Sequence, residues 1–139
     1  MTQKILLPPG WPRPQGYSNG IAAEGRLVFT AGLIGWDENG IIHADRLAGQ
    51  VAQALRNIVA VLAEADAEPR HIVRMTWYIT SRTEYLEQVK EIGRVWREII
   101  GQHYPAMAVI EVSALIESAA KVEIETTAVV PSCTSPRNE

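Results

Sequence analysis

His71-Ile72-Val73-Arg74-Met75-Thr76-Trp77-Tyr78-Ile79-Thr80 runs directly into Ser81-Arg82-Thr83-Glu84, and the hydrophobic period changes at that junction. Over 71–80, Val73, Met75, Trp77 and Ile79 fall on every second position, with Arg74, Thr76 and Tyr78 between them. That alternation is a strand with one covered face. Ser81 and Glu84 have capping-box spacing, and Leu86, Val89, Ile92, Trp96 and Ile99 then recur at helical spacing. A strand delivered straight into an amphipathic helix belongs to a layered domain in which helices cover a sheet.

Upstream, Leu47, Val51, Leu55, Ile58, Leu62 and Ala65 predict a first helix, with Asp45 placed to cap it and Pro69 marking its exit. Asn19–Glu24 and Arg26–Ile34 are two extended runs joined at Glu24-Gly25, the pattern of an antiparallel hairpin. Residues 35–40, Gly-Trp-Asp-Glu-Asn-Gly, are dense in turn formers and predict a loop. Downstream, Ala106–Leu115 and Lys121–Val130 predict two strands separated by a loop at Glu117-Ser118. The order is β-β-α-β-α-β-β, an α+β fold with two helices packed on one face of a mixed sheet. Residues 1–16 carry four of the eight prolines and predict an extended N-terminal arm. Residues 17–130 form the single domain, and 131–139 read as a flexible tail holding Cys133, an incidental exposed thiol.

Composition limits the function classes. The 139 residues carry 13 basic and 16 acidic side chains, a net charge of −3, and only three of the basic residues are lysines. No basic stripe exists for a nucleic acid to lie on, so no nucleic-acid partner is expected. A single cysteine excludes an internal disulfide and a cysteine-based zinc cluster. The longest apolar helical run, Ile58 to Ala63, is far below the roughly 20 residues of a membrane span, and no export signal precedes it. The chain reads as a cytoplasmic protein without a membrane partner.

Compact catalytic signatures are missing: no GxSxG, P-loop, HExxH or CxxC pattern occurs. His43, His71 and His103 lack ligand spacing and have no cysteine to join them, so no metal site is expected. Trp77 and Trp96 sit on apolar stripes, whereas Trp11 and Trp36 fall in loops that they either staple down or turn into a pocket wall. Alternation places Ala108, Ile110, Val112 and Ala114 toward the helices, and Met107, Val109, Glu111 and Ser113 away from them. In the last strand Val122, Ile124, Thr126 and Ala128 face the helices, and Lys121, Glu123, Glu125 and Thr127 the other side. That second face mixes apolar groups with carboxylates and Arg74; it is either left in water or buried in a homo-oligomer. The residues alone define no reaction.

Five segments in order supply more: Tyr17-Ser18-Asn19-Gly20, Phe29-Thr30-Ala31-Gly32-Leu33-Ile34, Gln53-Ala54-Leu55-Arg56-Asn57-Ile58, Tyr104-Pro105-Ala106 and Val122-Glu123-Ile124-Glu125. Together they resemble the RidA (YjgF/YER057c/UK114) family over residues 17–130. The resemblance implies a chorismate-mutase-like fold and a homotrimer whose sheets line a central barrel, with small-molecule pockets between subunits. It implies hydrolysis of reactive imines and enamines, such as 2-aminoacrylate tautomers, to ketoacids and ammonia, without metal or organic cofactor. Carried over by position, the substrate pocket takes Tyr17, Ala31, Gly32, Met107 and Val109, and the catalytic carboxylate is Glu123. Two positions depart: Ala31 stands where the family has serine, and Met107 where it has the arginine of a Pro-Ala-Arg segment. That arginine clamps the substrate carboxylate, a charge-assisted pair contributing about 1.5–3 kcal/mol. A thioether forms no such pair, and Met107 makes the pocket softer and more apolar. The expected substrate is therefore an imine or enamine other than the archetypal small 2-imino acid. A small-molecule-binding protein that has lost useful catalysis is the alternative. The ribonuclease or translation-inhibitor role of some relatives is the third reading, against which the net charge counts.

Overall fold

The computed structural model describes residues 3–132; Cys133 and the rest of the expected tail lie outside the described residues. A five-stranded sheet orders β3 (Arg26–Phe29), β7 (Val122–Val130), β5 (Ile72–Ile79) and β6 (Ala106–Glu111), with β4 (Leu33–Ile34) also paired to β7. Only β5 and β6 run parallel, so the sheet is mixed as expected. Helix α1 (Leu47–Ala63) packs on one face together with α2 (Arg82–Glu87) and α3 (Val89–Ile99). Leu55, Ile58 and Leu62 of α1 and Met75, Trp77 and Ile124 of the sheet are all but inaccessible, which puts the core between these layers. Among the described residues no helix is long and apolar enough to cross a membrane.

Several local expectations change. The Glu24-Gly25 turn does not close a hairpin. β2 (Ile21–Ala23) pairs with β1 (Gln3–Ile5), a strand within the N-terminal arm, while β3 pairs with β7. The choice is non-local: the polar groups of each run are satisfied by a strand distant in sequence rather than by its neighbour. The run 26–34 is interrupted, and its register with β7 slips by one residue between Phe29↔Thr127 and Leu33↔Ile124. Thr30 holds the irregularity, donating its N–H to the Thr126 carbonyl and accepting the Thr126 N–H on Oγ1.

The second predicted helix is two helices divided at Gln88, so three α-helices cover the sheet. Ser81 Oγ accepts the Glu84 N–H as the capping pattern predicts, at 3.1 Å. Asp45 does not cap α1. The cap position is Arg46, and the first amides of α1 are satisfied from the neighbouring helices. Leu47 N–H donates to Glu84 Oε1 at 3.0 Å and Ala48 N–H to Gln88 Oε1 at 2.8 Å. Glu84 also accepts from Lys121 Nζ at 2.8 Å, tying α1 and α2 to the start of β7.

The faces of β6 are the reverse of the sequence reading, and the strand ends at Glu111 rather than Leu115. Parallel pairing sets Met107 beside Met75, Val109 beside Trp77 and Glu111 beside Ile79, and residues of equal rank share a face. Met75, Trp77 and Ile79 are buried under the helices, so Met107 and Val109 lie on the helix face and Ala108 and Ile110 on the far one. Both alternating sets of β6 contain apolar residues, and a one-residue choice exchanges the faces. β7 keeps its expected faces, with Val122, Ile124, Thr126 and Ala128 buried.

Candidate functional site

The expected site residues fall into two groups, one on each side of the sheet. The first surrounds a cavity of about 540 Å³ on the helix side of the edge strand β6. Met107 and Val109 form its floor with Trp77. Val89, Ile92 and Trp96 of α3 form the opposite wall, with Tyr85 from α2. The arm closes the third side, because Ser18 fastens it to the start of β6. Ser18 N–H donates to Pro105 O at 2.9 Å, its hydroxyl donates to Tyr104 O, and Ser18 bridges Ala106. Tyr17 is thereby placed on the same cavity border as Met107, at 42% exposure.

The aromatic wall is held from behind. Trp96 stacks on Tyr104 at 6.4 Å and 15°, and lies 6.1 Å from Trp77. Its indole N–H donates to His103 O at 3.1 Å, and His103 in turn contacts the Ile72 carbonyl at 2.6 Å. These rings are pinned by backbone as well as by one another, which gives the cavity a fixed shape. Burial pushes the Tyr85 phenol above its usual range, keeping it protonated.

The second group lies on the far face, where Gly32 and Glu123 touch. A Cβ built on Gly32 would stand 2.8 Å from Cδ and 2.9 Å from Cγ of Glu123, so the carboxylate occupies the space a side chain would need. Ala31 sits beside Gly32 in the irregular segment and is exposed. Glu123 accepts no hydrogen bond among the described residues. Glu125, two residues along the same face, is engaged by the Tyr78 hydroxyl at 2.8 Å. That bond to Glu125 raises the Tyr78 phenol above its ordinary value. The two glutamates thus share a face and differ in availability. No cluster of three or more possible metal ligands occurs among the described residues.

The two groups do not meet within one chain. In rank, Met107 aligns through Met75 with Thr126, and Glu123 aligns through Tyr78 with Ile110, three residues away and on the opposite face. Trp11 and Trp36, at 59% and 41% exposure, belong to neither group. Sequence reading passed over Ser18, Gly93 and Arg97, although Gly93 and Arg97 also border the helix-side cavity. The only sequence signal for this pair was a glycine four residues before an arginine, beside the apolar stripe of an otherwise regular helix.

A family model described as Endoribonuclease L-PSP matches residues 12–130. A RutC family protein of Pyrococcus abyssi is 31% identical over 117 residues, covering 83% of this chain and 88% of its own. Among solved structures, YyfB of Yersinia pestis, a protein of the Rid family, superposes with a TM-score of 0.80 at 28% identity, covering 94% of this chain and all of the other. TdcF of E. coli, solved with bound serine, has a TM-score of 0.65 at 30% identity over 91% and 98% of the two chains.

Proposed function

This chain belongs to the RidA (YjgF/YER057c/UK114) family, and from that premise we propose that it is a cytoplasmic, homotrimeric hydrolase of an imine or enamine. The carrying observation is the free carboxylate of Glu123 held against Gly32, beside a glutamate that is already engaged. In the proposed reaction Glu123 takes a proton from the attacking water as oxygen bonds to the imine carbon. It returns that proton to nitrogen to give a carbinolamine, then relays the carbinolamine hydroxyl proton to the same nitrogen as the C–N bond breaks, and ammonia leaves a carbonyl product. A backbone N–H near Gly32 holds the substrate or the developing charge. Tyr17, Met107 and Val109 shape the cavity that receives the remainder of the substrate. Their place on the opposite side of the sheet from Glu123 supports a site completed between subunits, the helix-side cavity of one chain facing Gly32 and Glu123 of the next.

Ammonia release from imines generated in place by an amino-acid oxidase tests this reading. Glu123→Gln keeps the shape and removes the titrating group, so it lowers turnover by about a hundredfold or more with affinity within a few-fold. Glu125→Gln does much less. Full turnover by Glu123→Gln, or light scattering that finds a stable 15.3 kDa monomer, refutes it. A second reading, a small-molecule-binding protein without useful turnover, is favoured by Met107, which cannot clamp a substrate as arginine does. The ribonuclease reading is not adopted, since −3 net charge and three scattered lysines offer no phosphate track.

A further inference from the structure

The helix-side cavity carries a charge pattern that its carried-over residues do not explain. Arg97 is the one charged side chain that the chain itself places on this border; the carboxylate of Glu123 reaches it only from the next subunit of the proposed assembly. The guanidinium forms no ion pair among the described residues, in contrast to Arg46 with Glu91 and Arg70 with Glu68. Gly93, one turn earlier in α3, borders the cavity too. A Cβ there would meet a single atom, Arg97 Nη1, at 3.5 Å. Glycine inside a helix is less favourable than alanine, and here its missing side chain leaves the wall open beside the guanidinium. Tyr17, Tyr85 and Tyr104 keep accessible ring surface on this border, backed by the buried indoles of Trp77 and Trp96.

Size points the same way. About 540 Å³ of cleft on one chain lies within the roughly 300–1,000 Å³ of pockets that hold drug-sized ligands. A wall of tyrosine rings with a planar cation that has no ion-pair partner within its own chain selects a ring bearing a carboxylate. The ring covers apolar surface, and the guanidinium takes both carboxylate oxygens. We propose that this cavity binds an aromatic carboxylate and that Arg97 is the residue selecting the anion, the cation being supplied by α3 rather than by position 107. This rests on the reading of the cavity as the ligand-receiving half of the site above.

The test is binding of phenylacetate, its neutral isostere phenylacetamide, and propionate to the purified full chain, by calorimetry with indole fluorescence as a second readout. Phenylacetate binds at least about tenfold more tightly than either of the others. Arg97→Gln removes the preference for acid over amide and leaves amide affinity within about twofold, whereas Arg97→Lys retains part of it. Arg97 is exposed, so both variants keep the wild-type melting temperature. Equal binding of acid and amide, equal binding of phenylacetate and propionate, or an acid preference that survives Arg97→Gln overturns the proposal. Because the readout is affinity, the two readings fail separately. Arg97-dependent binding without any imine hydrolysis removes the hydrolase and leaves this inference standing; hydrolysis without an aromatic-acid preference does the reverse.

Discussion

Gly32→Ala tests the contact on which the catalytic proposal rests. The added methyl would lie 2.8 Å from Cδ of Glu123, while ordinary contact begins at 3.4 Å, so the carboxyl group must retreat by at least 3.4 − 2.8 = 0.6 Å. Displacements near 1 Å at a reacting group lower rates by about a hundredfold, so a loss of roughly tenfold or more in kcat is expected. Stability responds differently. The backbone at Gly32 is not in the left-handed region, and the three nearest atoms all belong to the Glu123 side chain, which is only half-buried and free to turn. Alanine also restricts the unfolded chain, worth about 0.4–1 kcal/mol, which offsets the displacement. The expected variant melts within a few degrees of wild type, keeps its oligomeric state by light scattering, and releases ammonia slowly. Undiminished kcat in a folded Gly32→Ala protein refutes the argument that Glu123 must sit where it does.

Three further outcomes follow from other parts of the structure. Met107→Arg with Ala31→Ser restores the family's clamp and hydroxyl, and raises hydrolysis of 2-aminoacrylate-type imines by at least about tenfold in coupled ammonia assays. Thr126→Val removes a hydroxyl that is 3% exposed and has no partner among the described residues, so the urea midpoint rises, by about 1 kcal/mol in stability. His71 is buried, with its Nδ1 accepting the Glu68 N–H at 2.9 Å; burial first, and then Arg70, push its pKa below the ordinary 6.5. The unfolded chain therefore binds the proton more readily. The stability His71 contributes is complete above about pH 6.5 and is lost as pH falls below it, by at most about 1.4 kcal/mol per pH unit. Urea titrations at pH 7.5 and 5.5 check this, and His71→Gln should flatten the difference.

Periodicity alone was sufficient for α1 and β7, because each buries one face so completely that the pattern has a single solution; in β5 a bulge between Ile72 and Arg74 puts Ile72 in the core in place of the expected Val73, and Thr76 is buried from the other set. Leu47, Val51, Leu55, Ile58 and Leu62 are all buried, as are Val122, Ile124, Thr126 and Ala128. It failed where partner choice is non-local. Nothing within Ile21–Ala23 or Arg26–Phe29 says that the first pairs with Gln3–Ile5 and the second with a strand about a hundred residues away. It failed again at β6, where the edge position leaves both faces partly covered and the apolar residues do not choose between them. The capping of α1 was illegible for a similar reason: Glu84 and Gln88 act across the helix–helix contact, and Asp45 was only the nearest candidate in sequence.

The site divides along the same line. Gly32 and Glu123, found through motif order, do touch, and Ser18 places Tyr17 on the same cavity border as Met107. Arg97 carried no motif and became visible only when α3 and β6 were set face to face. The far face also leaves apolar surface uncovered, with Phe29 67% and Ile110 45% exposed near Glu123 and Glu125. Covering it with a second copy would remove that surface from water and at the same time bring a foreign cavity to Glu123. Under the homotrimer proposal, assembly and catalysis are therefore one event, because neither face of a single chain holds both the carboxylate and the cavity. A substitution such as Phe29→Lys, which leaves α1, α3 and the core untouched, should dissociate the protein and abolish imine hydrolysis together. A folded monomer that still turned over would separate the two and place the reaction on one face of one chain.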